Sequence, residues 1–221
     1  MISICTTPDC HDMVAAIFDF DGTLADTADL WHDVDVDFLG RRGIVPDADY
    51  SQRLAALGFA AGAQYTIERY GLNETVEDIC AEWQDMGAQR YRSCVTLRPG
   101  AQAYLTRLRN DGIPCALATT NDPIILEAME RIDVCELFDA RVYGVEVPHG
   151  KDHPDIYLEA ARRLGVQASS CLVFEDIAPA IHAARRAGMS TCGVRANDAT
   201  QPVEAVRDAA DYWVDDWRDL A

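Results

Sequence analysis

The chain has 221 residues, 49% of them apolar, which suits one large globular domain or a domain carrying an insertion. Its formal net charge of -18 argues against binding to nucleic-acid backbones or to an anionic membrane surface. The eight cysteines form no CxxC pair, the opening "MISICTTPDCHD" has neither a basic start nor a long apolar run, and no segment approaches membrane-spanning length, so a reduced, cytoplasmic protein without disulfides is expected.

Cys10 and His11 have no partner pair at metal-ligand spacing and read as an ordinary tail. The first apolar run, "VAAIFDF" (14–20), reads as a buried strand that ends on two aspartates, Asp19 and Asp21, before Gly22. No strand pattern follows between Leu24 and Leu97. That stretch reads as helices over 28–42, 47–70 and 75–93, with breaks at Pro46 and Gly71. A helical insertion (24–96) into an α/β core (1–23 and 97–221) is the economical division.

From Leu97 on, helix and strand patterns alternate. "PGAQAYLTRLRNDG" precedes the strand "IPCALATT", which ends on Thr119, Thr120 and Asn121. "ARVYGV" is followed by a loop carrying Lys151, then by the helix "PDIYLEAARRLG". "CLVFED" ends on Glu175 and Asp176, and "STCGVR" and "DYWVDD" complete the set. Such alternation predicts an α/β, Rossmann-like, mostly parallel sheet covered on both faces. Ligands of such sheets bind beyond the carboxyl ends of the strands. Tyr212, Trp213 and Trp217 read as an edge strand and packing.

Taken singly, the polar groups have plain readings. Asp19 and Asp21 could be surface charges or a helix cap, Thr119 a strand residue, and Glu175 and Asp176 an acidic first helical turn. Together they suit phosphoryl transfer, which needs a nucleophile, positive counter-charge and a proton shuttle. Clustered carboxylates repel unless a hard cation lies between them, and Mg²⁺ favours a few protein oxygens with phosphate and water. Lys151 is the only lysine among 19 basic side chains. A compact ammonium fits between a carboxylate and a phosphate where a planar guanidinium does not.

The segments "DFDGTLADT", "LATTN", "GKDHPDIY" and "LVFEDIAPAIHAARRAGM" resemble the four motifs of the haloacid dehalogenase superfamily, most closely its branch of β-phosphoglucomutase and small phosphatases with a helical cap. The resemblance covers nearly the whole chain. It implies Asp19 as nucleophile and Mg²⁺ ligand, and Asp21 as general acid and base that also lends its carbonyl to the metal. It implies Gly22, Thr119, Thr120, Asn121 and Lys151 around the phosphoryl group, Asp176 as metal ligand and Glu175 as its support. The pattern departs at Ile177, where a Ser or Thr is common, and at Ala180, where Gly is common.

On the helix from Ala28, the residues Thr27, Trp31, Val34 and Asp35 share one face, which should look toward the first motif. Trp31 stands where the mutase has a gating histidine, and His32 is one residue, about 100°, out of place. No counterpart of the mutase's cap arginine for a second phosphate stands out; Arg41, Arg42 and Arg53 are the candidates. Trp31 and Trp83 read as interior packing in preference to an aromatic wall, and His149 and His153 as a polar loop. Phosphonate cleavage needs a cap lysine, absent from 24–96; dehalogenation needs no metal and usually lacks the second aspartate. The expected activity is Mg²⁺-dependent hydrolysis of a small phosphomonoester, such as a sugar phosphate, through an aspartyl phosphate. A phosphohexose mutase is the alternative. The expected partner is a small phosphorylated metabolite, and nothing in the sequence sets the oligomeric state.

Overall fold

A computed structural model describes residues 13–47, 49–196 and 202–221. Cys10 and His11 lie outside the described residues.

Six strands form one sheet: β1 (Ala15–Phe18), β2 (Cys115–Thr119), β3 (Ala140–Tyr143), β4 (Cys171–Glu175), β5 (Ser190–Val194) and β6 (Tyr212–Val214). Their order is β3-β2-β1-β4-β5-β6 and every pairing is parallel. Each of the six apolar runs therefore supplies a strand. β1 is flanked on both sides, with Ile17 opposite Ala116 and Val173. All four of its residues are buried, which is why the run is continuous rather than alternating.

Alternate residues serve two cores. Ala16 and Phe18 join Tyr104, Leu117, Phe174 and Trp217 on one face. There the Phe18 and Phe174 rings stack with centroids 4.6 Å apart, and α5 (Ala101–Asn110) covers them. Ala15 and Ile17 face α7 (Asp155–Leu164) and α8 (Ala178–Arg186) through Ile156, Tyr157, Ala180 and Ala184. Tyr212–Val214 is the edge strand expected. Cys115, Cys171 and Cys192 are free thiols buried in β2, β4 and β5.

Four helices lie between β1 and α5: α1 (Ala28–Gly40), α2 (Tyr50–Leu54), α3 (Phe59–Tyr70) and α4 (Val76–Cys94). They bury a cluster of their own that includes Val34, Phe38, Tyr50, Ile79 and Trp83. α4 opens on a reciprocal capping box between Thr75 and Asp78. The helix expected over 47–70 is two helices. The chain leaves helical geometry after Ala55, and Gly58 is extended (φ -76°, ψ 168°). Apolar periodicity runs through this break, so the sequence pattern hides it. The break has a tertiary use: the Ala56 carbonyl accepts the Lys151 amide at 2.8 Å.

Two further contacts fix the helical segment to the sheet. Its two connections pair at Ala25 and Leu97, and the Arg98 amide donates to the Leu24 carbonyl at 2.8 Å. Short α6 (Pro123–Glu127) packs against α4 at Gly87, where a Cβ would lie 2.9 Å from Ile125 and 3.2 Å from Trp31.

Candidate active site

The strand order places β1 beside β4 where the connections reverse direction, the switch point at which parallel sheets bind ligands. Asp19 follows β1, and its amide donates to the Phe174 carbonyl at 3.1 Å. Glu175 and Asp176 end β4 and begin the next turn. One carboxylate oxygen from each of Asp19, Glu175 and Asp176 lies within 4.8 Å of the others. All three residues are buried.

Lys151 enters this cluster from the loop after β3. Its side chain is 2% exposed, and Nζ donates to both Asp19 and Glu175. Burial opposes the ammonium's charge, but Asp19 and then Glu175 outweigh it and hold the group above its ordinary value. Burial pushes Glu175 up to about 7, with Lys151 opposing and Asp19 adding to the rise. Burial, then Asp19 and Glu175, push Asp176 well above the carboxylate range. One ammonium thus faces three carboxylates. Tyr157 donates to Glu175 Oε1 at 2.7 Å, while Oε2 has no protein partner. A set of buried carboxylate oxygens with one oxygen still unpaired fits a hard divalent cation such as Mg²⁺.

Gly22 is needed for this packing. Its φ is +83°, and a Cβ there would sit 2.1 Å from Asp176 Oδ2. The turn is clamped where Arg98 donates to the Gly22 carbonyl and the Trp217 indole donates to that of Thr23, both at 2.9 Å. Thr23 in turn donates to Asp176 at 3.2 Å. Trp217, read from sequence as packing, is therefore also a hydrogen-bond donor to the motif.

Asp21 lies at the same end of the sheet, with three donors on its carboxylate. Thr27 reaches Oδ1 at 2.7 Å, Asn121 Nδ2 reaches Oδ2 at 2.9 Å, and the Tyr91 hydroxyl donates to Oδ1. Burial and then Asp19 raise its pKa above the ordinary carboxylate value, against these three bonds. Tyr91 comes from the last turn of α4 and is fully buried. Its oxygen accepts from Trp31 Nε1 at 2.8 Å and from Asn121 at 3.1 Å. Tyr91 was not legible from sequence. The only trace of it is a tyrosine on the α4 face that also carries Gly87 and Trp83, four and eight residues earlier.

A cavity of about 170 Å³ opens over Asp19, Lys151 and Asp176 and extends between the helices of the inserted segment. Asp21, Gly22, Thr120, Asn121 and Glu175 also line it. Thr119 does not: it is buried at the end of β2, where its Oγ1 accepts the Asn121 amide at 3.0 Å. The expected helix face does look toward the first motif, since Thr27, Trp31, Val34 and Asp35 all line the cavity. Trp83 is 5% exposed and belongs to the helical core, yet it and Trp31 border the cavity, so packing and wall coincide. Ile177 lines the cavity where a hydroxyl is common in the resembled motif, and Ala180 is buried in the core.

The three candidate arginines lie elsewhere. Arg41 and Arg42 pair with Glu82, Arg42 also with Glu74, and Arg53 with Asp49. Among the described residues, no arginine lines the cavity. His149 and His153 are exposed and stack on each other, with centroids 4.5 Å apart.

A parallel α/β core with a buried carboxylate–ammonium centre at its switch point, beneath inserted helices, is the arrangement the motifs led us to expect. Residues 16–194 match the haloacid dehalogenase-like hydrolase family, and the chain belongs to it. It is 29% identical to the phosphorylated carbohydrates phosphatase of Thermotoga maritima, over 80% of this chain and 82% of that one. It is 32% identical to the β-phosphoglucomutase of Bacillus subtilis, over 82% and 83%. The fold matches that of CbbY from Rhodobacter sphaeroides in complex with phosphate, with a TM-score of 0.80, 24% identity, and coverage of 95% and 96%. No described helix is long and apolar enough to cross a membrane.

Proposed function

We propose that this protein is a divalent-cation-dependent phosphatase of small phosphomonoesters, with residues 24–96 acting as a cap over a core formed by 1–23 and 97–221. The observation that carries the reading is Asp19, buried among Lys151, Glu175 and Asp176 at the floor of a cavity that Asp21 also lines. The named phosphatase relative supports the same class.

Asp19 attacks phosphorus through a carboxylate oxygen, and the bond from phosphorus to the leaving oxygen breaks as the acyl phosphate forms. Asp21 delivers a proton to that leaving oxygen. Asp21 then takes a proton from water as the water oxygen attacks phosphorus, which restores the Asp19 carboxylate and releases inorganic phosphate. Lys151 neutralises phosphoryl charge and keeps Asp19 oriented. Thr120 and Asn121 lie on the cavity wall, and Asn121 also orients Asp21. Asp19 and Asp176, with the Asp21 carbonyl and Glu175 beside them, are the residues that would hold Mg²⁺. The ion would supply positive charge against the phosphoryl oxygens.

A mutase must retain and turn a bisphosphate, which needs a cationic group at the far end of the cavity. The outward pairing of Arg41, Arg42 and Arg53 favours the phosphatase. The test is a panel of phosphomonoesters with Mg²⁺, scored by released phosphate. Turnover without a bisphosphate activator is expected, and Asp19→Asn should abolish it with the fold intact. Full activity in that variant would end the proposal.

A further inference from the structure

The cavity is lined by one carboxylate that the reaction does not use. Asp35, on α1, is 6% exposed and lines the cavity. Its Oδ2 accepts from Ser51 Oγ at 2.6 Å. Among the described residues, no protein donor reaches Oδ1. That oxygen is not sealed from the cavity that Asp35 lines, so a bound molecule can supply its donor in place of water.

Its surroundings are apolar and aromatic. Trp31, Leu54, Phe59 and Trp83 border the same space. Phe59 meets Trp31 and Trp83 edge-on, with centroids 5.9 and 6.0 Å apart. Among the described residues, the basic groups lining the cavity are Lys151, at the phosphoryl end, and the exposed His32. Apart from Lys151, no lysine or arginine among the described residues lines the cavity to balance a second phosphate, and Asp35 repels one.

Resting on the phosphatase reading, we infer that Asp35 with Ser51 is a specificity site for the leaving group. It accepts a hydrogen bond from a donor on that group, a hydroxyl or an ammonium, and turns away leaving groups that carry a second phosphate. The aromatic wall suits either donor, because it can pack the C–H face of a polyol or the flank of an alkylammonium.

The test compares kcat/KM for four probes of similar size. Propyl phosphate has no donor, glycerol phosphate offers hydroxyls, phosphoethanolamine offers an ammonium, and propanediol bisphosphate carries a second phosphate. A hydrogen bond to a charged group is worth roughly 10- to 100-fold in such a ratio. The wild type should prefer at least one donor-bearing probe to propyl phosphate by about that factor and turn over the bisphosphate more slowly than propyl phosphate. Asp35→Leu should bring the donor preference close to one. Asp35→Asn, nearly isosteric, keeps an acceptor without charge. It should retain a preference for glycerol phosphate if the donor is a hydroxyl, and lose a preference for phosphoethanolamine if it is an ammonium. Equal Asp19-dependent turnover of propyl phosphate and both donor-bearing probes by the wild type overturns the inference and leaves the phosphatase reading standing. Absence of Asp19-dependent turnover for every probe removes both.

Discussion

Lys151→Met tests the electrostatic design of the site directly. The substitution keeps an unbranched chain of similar length in a position only 2% exposed and removes the charge. Asp19, Glu175 and Asp176 are then left within 4.8 Å of one another with no ammonium among them. Removing one partner of a buried ion pair typically costs about 3–5 kcal/mol, because it leaves an uncompensated buried charge. For a chain of this size, about 1 kcal/mol lowers Tm by roughly 2–4 °C, so a drop of about 6–20 °C is expected. Differential scanning fluorimetry in EDTA measures it. Tyr157→Phe is the control, because it removes only a neutral donor to Glu175; its cost should be about 1 kcal/mol. Added Mg²⁺ should raise the Tm of Lys151→Met more than that of the wild type, since a divalent cation restores charge that Lys151 no longer provides. The recovered protein should still lack turnover, because the phosphoryl group has lost its ammonium. A Tm in EDTA within about 2 °C of the wild type would refute the reasoning.

Three further outcomes follow from named contacts. Tyr91→Phe removes a donor to Asp21 and strips Trp31 Nε1 of its acceptor. It should cost about 1.5–3 kcal/mol by chemical denaturation, together with a fall in kcat; unchanged stability and kcat would count against a role for this hydroxyl. Gly150→Ala places a Cβ 2.3 Å from the Ala56 carbonyl, at the seam where the Lys151 loop meets the inserted helices. Misplacing that loop should lower kcat/KM on the order of 100-fold, while circular dichroism stays native.

The third concerns pH. Burial raises Asp35 from 3.8 to about 6, with Ser51 and then His32 opposing the rise. Tyr50 is the other titratable group facing it. The folded state therefore holds this proton more tightly than the unfolded chain. Asp35's contribution to stability is present below about pH 3.8 and is lost as pH rises through about 6. Asp35→Asn escapes that loss. Its stability advantage, read by chemical denaturation, should grow between about pH 4 and 6 and level off above, at no more than about 3 kcal/mol, from 1.36 kcal/mol per pH unit. An advantage independent of pH would exclude the ionised carboxylate as its cause.

The strands and the polar motifs at their ends were legible because both are written in short-range sequence. Six apolar runs formed six strands; β1, β2 and β4 are buried along their whole length, which demands a near-continuous apolar run. Asp19, Lys151, Glu175 and Asp176 met at one point because parallel strands deliver all their carboxyl ends to one edge. The helical insertion was legible as a gap in the strand pattern, and the face of α1 from its spacing.

What the sequence left open depends on how separate elements pack. Trp31 and Tyr91 lie 60 residues apart, and only the docking of α4 beside α1 joins them to Asp21. The break at 55–58 exists because the chain must turn to meet Lys151, and periodicity records no such demand. Arg41 and Arg42 were candidates for a cationic site until the pairing of α1 with α4 turned them toward Glu82. The sequence by itself determined the strands, the helical segment and the polar groups at the strand ends, since strand burial and motif spacing are local properties. Only tertiary structure decided which side chains the inserted helices present to those groups, because that depends on long-range packing between faces whose partners lie tens of residues away.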